Sequence, residues 1–131
     1  MADPYRVLVT GSREFDDYST MCIELGGVLA KLMAATESTY PGVVVVHGGA
    51  RGADALAQRA AEAFGMKTEC HPADWKAHGK RAGFIRNAAM VALGADLALA
   101  FYKQGAGNRG TDHCARLAEK AGIPVRRVTG G

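Results

Sequence analysis

The sequence predicts an α/β fold: a single Rossmann-like domain whose mostly parallel, five-stranded sheet is flanked by about four helices. Three observations predict it. Val43-Val44-Val45-Val46 is a β-branched run without alternation, as expected of a strand buried on both faces. Short apolar strands alternate along the chain with stretches of helical periodicity. Three of those helical stretches stop at a glycine (Gly65, Gly94 and Gly122) just before the next strand begins. Strands joined in this way are parallel, with right-handed helical crossovers.

Residues 5–10 form the first strand, and Gly11-Ser12-Arg13 follows it directly. Asp16 or Asp17 caps a helix whose apolar face runs through Cys22, Leu25, Leu29, Leu32 and Met33. Gly26-Gly27 inside it costs about 1 kcal/mol per glycine relative to alanine and marks a close packing contact. Residues 37–42 are a loop punctuated by Pro41. The valine strand then runs into Gly48-Gly49-Ala50-Arg51-Gly52-Ala53-Asp54. Beyond it Ala53, Leu56, Ala57, Ala60, Ala61 and Phe64 recur at the spacing of an amphipathic helix. Residues 67–70 are a short strand, and residues 71–80 a polar and aromatic loop too long for a minimal connection. A third helix follows, with Ile85, Ala88, Ala89 and Ala92 on one face, closing at Gly94. Residues 96–102 form a strand and residues 105–111 a second glycine loop. That loop opens a fourth helix with Cys114, Leu117, Ala118 and Ala121 inward. Residues 124–128 complete the strands, and residues 129–131 are expected to be a disordered tail. The whole chain, residues 1–131, reads as one domain without linker or repeat.

Composition narrows the function. A chain of 131 residues with 48% hydrophobic and 22% charged residues buries a core without disulfides. The net charge of +3 does not by itself point to nucleic acid. Cys22, Cys70 and Cys114 form no Cys-x-x-Cys pair, which argues against a disulfide framework and a structural zinc site. No metal is expected. No apolar run approaches the roughly 18 residues of a membrane span and no signal-type apolar segment opens the chain, so the expected setting is the cytoplasm, without a membrane partner.

In a parallel sheet every strand delivers its C-terminal end to one edge, where ligands bind. The loops at that edge carry Arg13, Arg51, Lys76, Lys80, Lys103 and Arg109, with Arg81 and Arg86 just beyond: eight of the chain's 16 basic residues. Glycine loops running into helix N-termini beside arginine suit a phosphate. The pattern is neither Gly-x-Gly-x-x-Gly nor a Walker motif, so neither a standard dinucleotide site nor a P-loop NTPase is expected. The expected seat is the backbone of Gly48, Gly49 and Gly52 with Arg51, assisted by Gly110 and Thr111. Gly11, Ser12, Arg13, Arg86 and Asn87 line a sugar or second phosphate, and Asp54, Asp74 and Arg109 complete the binding set. Trp75 either stacks on a base or plugs its own loop. For His71 and His78 loop structure is favoured over acid–base or metal chemistry. For Cys114 packing is favoured over a nucleophilic role.

Gly11-Ser12-Arg13, Gly48-Gly49-Ala50-Arg51-Gly52-Ala53-Asp54, residues 71–75, Arg86-Asn87-x-x-Met90 and Arg109-Gly110-Thr111, taken together, resemble the SLOG superfamily, and within it the YspA-like branch known from bacteria and phages. The resemblance implies a Rossmann-like sheet that binds a nucleotide or nucleotide-derived ligand: a nucleoside phosphate, NAD or an ADP-ribose derivative. Two more distant relatives imply other activities. The LOG phosphoribohydrolases cleave the N-glycosidic bond of nucleoside monophosphates with an arginine and a glutamate. Arg86 matches the arginine and is the candidate catalytic residue, whereas Cys114 stands where the glutamate belongs and a thiol does not stabilise an oxocarbenium-like centre. The DprA proteins, similar at Gly11 to Arg13, Gly48 to Asp54 and Arg86-Asn87, bind single-stranded DNA. The leading expectation is therefore a sensor or processing protein that binds a small nucleotide-derived ligand, with phosphoribohydrolase as the alternative and single-stranded DNA binding third. Pairing among SLOG relatives, with an alanine-rich third helix here, implies a homodimer.

Overall fold

The computed structural model describes residues 3–35 and 42–130. The loop expected before Gly42 and the final residue of the expected tail lie outside them. Five strands, β1 (Tyr5–Gly11), β2 (Val43–His47), β3 (Lys67–Cys70), β4 (Leu97–Lys103) and β5 (Val125–Gly130), form one sheet in the order β3-β2-β1-β4-β5. Every neighbouring pair is parallel. The helices are α1 (Tyr18–Ala35), α2 (Ala53–Ala63), α3 (Trp75–His78), α4 (Ala82–Ala92) and α5 (Arg109–Lys120).

The period-two geometry of the central strands builds two cores. Val7, Val9, Val43, Val45, Leu99 and Phe101 point to one face, where Met21 and Leu25 of α1 and the alanines of α2 cover them. Leu8, Val44, Val46 and Ala98 point to the other, against Met90 and Val91 of α4 and Cys114 and Ala118 of α5. All of β2 is buried, as the unbroken valine run requires. Asp17 is the residue that caps α1, accepting from the Thr20 amide (3.1 Å) and hydroxyl (2.6 Å), whereas Asp16 pairs with Lys103. Of the two α1 glycines, Gly26 faces a neighbour: a Cβ there would meet the Phe64 ring at 3.3 Å, and Gly27 is open.

The structure corrects three expectations. The loop of residues 71–80 contains one helical turn, α3, capped by Asp74 on the Ala77 amide (3.0 Å), and a 3-10 turn, Gly79–Arg81, leading into α4. The alanine face of α4 points outward: Ile85, Ala88, Ala89 and Ala92 are exposed, whereas Ala82, Asn87, Met90 and Val91 are buried. Met33, at the end of α1, and Ala121, past the end of α5, are exposed because the apolar stripe outruns the sheet beneath it. Thr129 and Gly130 continue β5, pairing with Tyr102 and Lys103, and a Cβ at the buried Gly130 would run into the Phe15 ring.

Arg6 ties β1 to the rest of the sheet. Its guanidinium forks onto Glu69 of β3 (3.0 and 2.9 Å) and its Nε donates to the Gly94 carbonyl (3.1 Å). His71 Nε2 lies 2.7 Å from Glu69. Arg6 first and His71 second hold the Glu69 carboxyl down to about 2 from an ordinary value of 4.5. A depressed folded-state pKa contributes stability above the unfolded value and loses it as pH falls through the folded one. The urea midpoint of the wild type is therefore expected to fall between pH 4.5 and 2 more steeply than that of Glu69→Gln. Parallel pH profiles would contradict this.

Candidate functional site

The sheet order reverses between β1 and β4, so the loops leaving their C-terminal ends diverge and open a crevice. Ser12, buried at the head of the β1–α1 loop, stitches its walls together. Its amide donates to the Phe101 carbonyl (2.9 Å), its carbonyl accepts from Ala53 (3.1 Å) and Phe15 (3.1 Å), and its Oγ accepts from Glu14 (3.1 Å). Gly11 lets α2 approach: a Cβ there would collide with that of Ala53. Gly52 adopts φ +78°, and a side chain there would strike the carbonyl of Arg13 at 2.5 Å.

The glycine loop after β2 is closed upon itself. Asp54 Oδ2 accepts from the amides of Gly48 (3.1 Å) and Ala50 (3.3 Å). The amide of Gly49 donates to His47 Nδ1 (3.0 Å), which leaves the His47 proton on Nε2, facing Gln58 Oε1 at 2.7 Å. The amides of Gly48, Gly49, Ala50 and Ala53 thus all have partners within the protein. Burial pushes the Asp54 carboxyl up from its ordinary value, against the opposing pull of those amides, of His47 and of Arg86.

Arg86, on the inner side of α4, donates from Nη1 to the carbonyls of Gly48 (2.6 Å) and His71 (3.3 Å), and from Nε to Asn87 Oδ1 (2.8 Å). All three acceptors are neutral, and among the described residues no carboxylate lies within ion-pair distance of it. Gly48 is required by this arrangement, since a Cβ would occupy the guanidinium's place.

Across the crevice, Asn108 clamps the β4–α5 loop: Oδ1 accepts from the Lys103 amide (3.1 Å), and Nδ2 donates to the carbonyls of Lys103 and Ala106 (both 3.0 Å). Its side chain therefore makes no capping bond to α5, and Gly110 and Thr111 in the first turn border the cavity. Cys114, one turn further, is fully buried, and that burial pushes its thiol up, away from nucleophilic character.

Between these walls lies a cavity of about 360 Å³. It gathers Gly11, Ser12, Arg13, Asp54, Trp75, Arg86, Asn87, Gly110 and Thr111 from the expected set. A second cavity, of about 460 Å³, adjoins it and takes Gly48, Gly49 and Arg51. Arg13, Ala50, Trp75 and Arg86 border both, and the Arg13 guanidinium lies 5.4 Å from the centroid of the Trp75 ring. Arg51 is exposed, pairs with Glu14 at 3.2 Å and stands apart from the first cavity. Asp74 spends its carboxylate on the α3 cap, and Arg109 is exposed; neither borders either of these two cavities. Phe84, Glu14, His47 and Asn108 were not expected. Phe84 was legible from its three-residue offset from Asn87, which puts both on one helical face. Among the described residues no group of three or more His, Cys, Asp or Glu side chains is placed to hold a metal, and no helix is long and apolar enough to cross a membrane.

Comparison with known proteins accords with this geometry. The model of the family described as YspA, cpYpsA-related SLOG matches residues 5–78. The Gene 61 protein of Mycobacterium phage D29 is 50% identical over 125 residues, spanning 92% of this chain and 93% of that protein. The crystal structure of TM1055, a structural genomics target, is similar in fold, with a TM-score of 0.63 at 21% identity over 92% of this chain and 72% of that one.

The Asp54 clasp has a measurable consequence. Asp54→Asn keeps an oxygen for both loop amides, and removal of a buried charge leaves stability at or near that of the wild type. Asp54→Ala strands both donors, at about 1–3 kcal/mol each, and is expected to lower the unfolding free energy by at least about 2 kcal/mol in urea titration. Equal loss in both variants would show that the carboxylate, not the acceptor geometry, holds the loop.

Proposed function

Because the chain belongs to the YspA, cpYpsA-related SLOG family, we propose that it binds a nucleotide or nucleotide-derived ligand in the crevice between β1 and β4, as a sensor or processing protein. The observation that carries this reading is Arg86: a guanidinium pinned by neutral oxygens, at the wall of a cavity that the first turn of α5 also borders. A cation so held has no carboxylate within ion-pair distance, and the amides and dipole of a helix N-terminus on the same cavity also favour an anion. The phosphate accordingly goes to Gly110, Thr111 and Arg86 rather than to the self-satisfied glycine loop. Trp75 and Phe84 supply aromatic faces for a base, and Ser12 and Asn87 polar groups for a sugar.

Two other readings make different predictions. Phosphoribohydrolysis keeps Arg86 but lacks the carboxylate at Cys114, so no release of base from nucleoside monophosphates is expected. Single-stranded DNA binding predicts affinity that collapses as salt rises, with a slope set by the number of phosphates contacted.

We propose further that the protein pairs through α4. Ile85 and Leu93 are 37% and 59% exposed, with Ala88, Ala89 and Ala92 exposed between them, forming one apolar stripe of small residues that lets a second copy approach closely. Leu93→Glu is expected to convert a dimer to a monomer in light scattering without altering circular dichroism; a wild type that is monomeric at all concentrations would refute the pairing.

The binding reading is tested by thermal shift and calorimetry with nucleoside mono-, di- and triphosphates, NAD, ADP-ribose and a short oligonucleotide. A ligand at a hundredfold excess over its Kd is expected to stabilise the protein by about 2.7 kcal/mol. Arg86→Ala and Gly48→Ala are expected to abolish that shift alike, since the Gly48→Ala methyl displaces the guanidinium while its backbone conformation suits alanine. Stabilisation by the oligonucleotide alone would overturn this reading in favour of DNA binding.

A further inference from the structure

The second cavity has a chemistry of its own. Arg13, Arg51 and Arg86 border it and no carboxylate does, whereas the first cavity has Asp54 and Glu14 on its wall. Gly48 and Gly49 line it: a Cβ at Gly48 would displace the Arg86 guanidinium, and one at Gly49, held at φ +70°, would meet the Cys70 sulfur at 2.7 Å. The amides of these two glycines are already engaged with Asp54 and His47, so the attraction comes from the guanidinium groups. The one carboxylate on Arg51, Glu14, is held through an ion pair whose side chains are 73% and 58% exposed. Such a pair is worth little and yields readily to a better anion. The two cavities meet along Arg13, Trp75, Ala50 and Arg86, so a molecule running from one to the other stays in contact with a shared aromatic wall and two shared cations.

We propose that the second cavity is a separate anion subsite, and that the ligand is a nucleotide extended through its phosphate by a further phosphoryl ester, of which the second cavity takes the distal phosphoryl group. This inference rests on the nucleotide reading of the first cavity and specifies its ligand class. Arg51 is then a specificity residue for the extension and has no part in holding the first phosphate. Arginine matches a phosphoryl group through its planar pair of donors, and two further guanidinium groups raise the local positive potential without requiring a helix end.

The test is isothermal calorimetry of wild type and Arg51→Ala with the four ribonucleoside 5′-monophosphates, ADP-ribose, NAD and 5′-phosphorylated dinucleotides. At least one extended probe is expected to bind wild type about tenfold or more tightly than its parent monophosphate, the gain of a charge-assisted contact. Arg51→Ala is expected to erase that gap and to leave the monophosphate affinity unchanged, with a melting temperature equal to that of the wild type. A gap confined to ADP-ribose and NAD identifies a pyrophosphate link, and one confined to the dinucleotides a phosphodiester. Monophosphates and extended probes that bind equally, or a gap that survives Arg51→Ala, would overturn the second subsite while leaving the nucleotide reading intact. Absence of binding by every probe would overturn both.

Discussion

One contact set organises the ligand edge of this molecule: the Asp54 carboxylate gathers the amides of Gly48 and Ala50, and the carbonyl of the same Gly48 receives Arg86. The loop is thus clamped on both sides of a single residue, through the amide and the carbonyl of Gly48. Because Arg86 also reaches the His71 carbonyl and Asn87, the end of β2, the end of β3 and helix α4 are fixed relative to one another. Charged groups in this position are costly to desolvate, and the arrangement offsets that cost through hydrogen bonds rather than through a direct ion pair. The Arg86 guanidinium is thereby held in one orientation, so the proposed binding would cost little further rotamer entropy.

The scaffold makes that placement possible. A fully buried valine strand in the middle of a parallel sheet delivers its loop to the edge without freedom to slip in register, since a shift by one residue would invert every side chain between the two cores. Glycines act where a Cβ would strike a neighbour: Gly11 against Ala53 of α2, Gly52 against the backbone of the β1–α1 loop, Gly48 against the Arg86 guanidinium. On the opposite wall Asn108 spends its side chain on its own loop, and the first turn of α5 borders the cavity without a side-chain cap.

The parallel five-stranded sheet and its four longer helices were readable from the sequence because valine runs, helical spacing and terminal glycines are local signals with strong physical causes. What was less readable depended on distant partners. The glycine loop looks like an anion cradle until Asp54, four to six residues on, is found to have taken its amides. Arg51 looks central by its place between glycines, but its side chain turns to exposed Glu14 and the neighbouring cavity. Which face of α4 lies inward is not legible, because that face carries Asn87, which reads as polar surface unless its bond to Arg86 is known. Asp74 and Trp75 fell in a stretch taken for loop, where a single helical turn is too short to leave a periodic trace. Arg86-Asn87, by contrast, stood out as polar residues on an otherwise apolar helix, and the cavity borders both.

The central claim is that the anion is held by the first turn of α5 together with Arg86, while the glycine loop serves as the clasp that holds Arg86 in place. Amide and arginine Nε chemical shifts recorded by nuclear magnetic resonance during titration with a nucleoside monophosphate test it most directly. The account predicts saturable shifts at the amides of Gly110 and Thr111 and at Arg86 Nε, with the amides of Gly48, Gly49 and Ala50 changing least because their hydrogen bonds to Asp54 and His47 persist. Large shifts at Gly48 to Ala50 with Gly110 and Thr111 unmoved would contradict it, and would return the phosphate to the glycine loop.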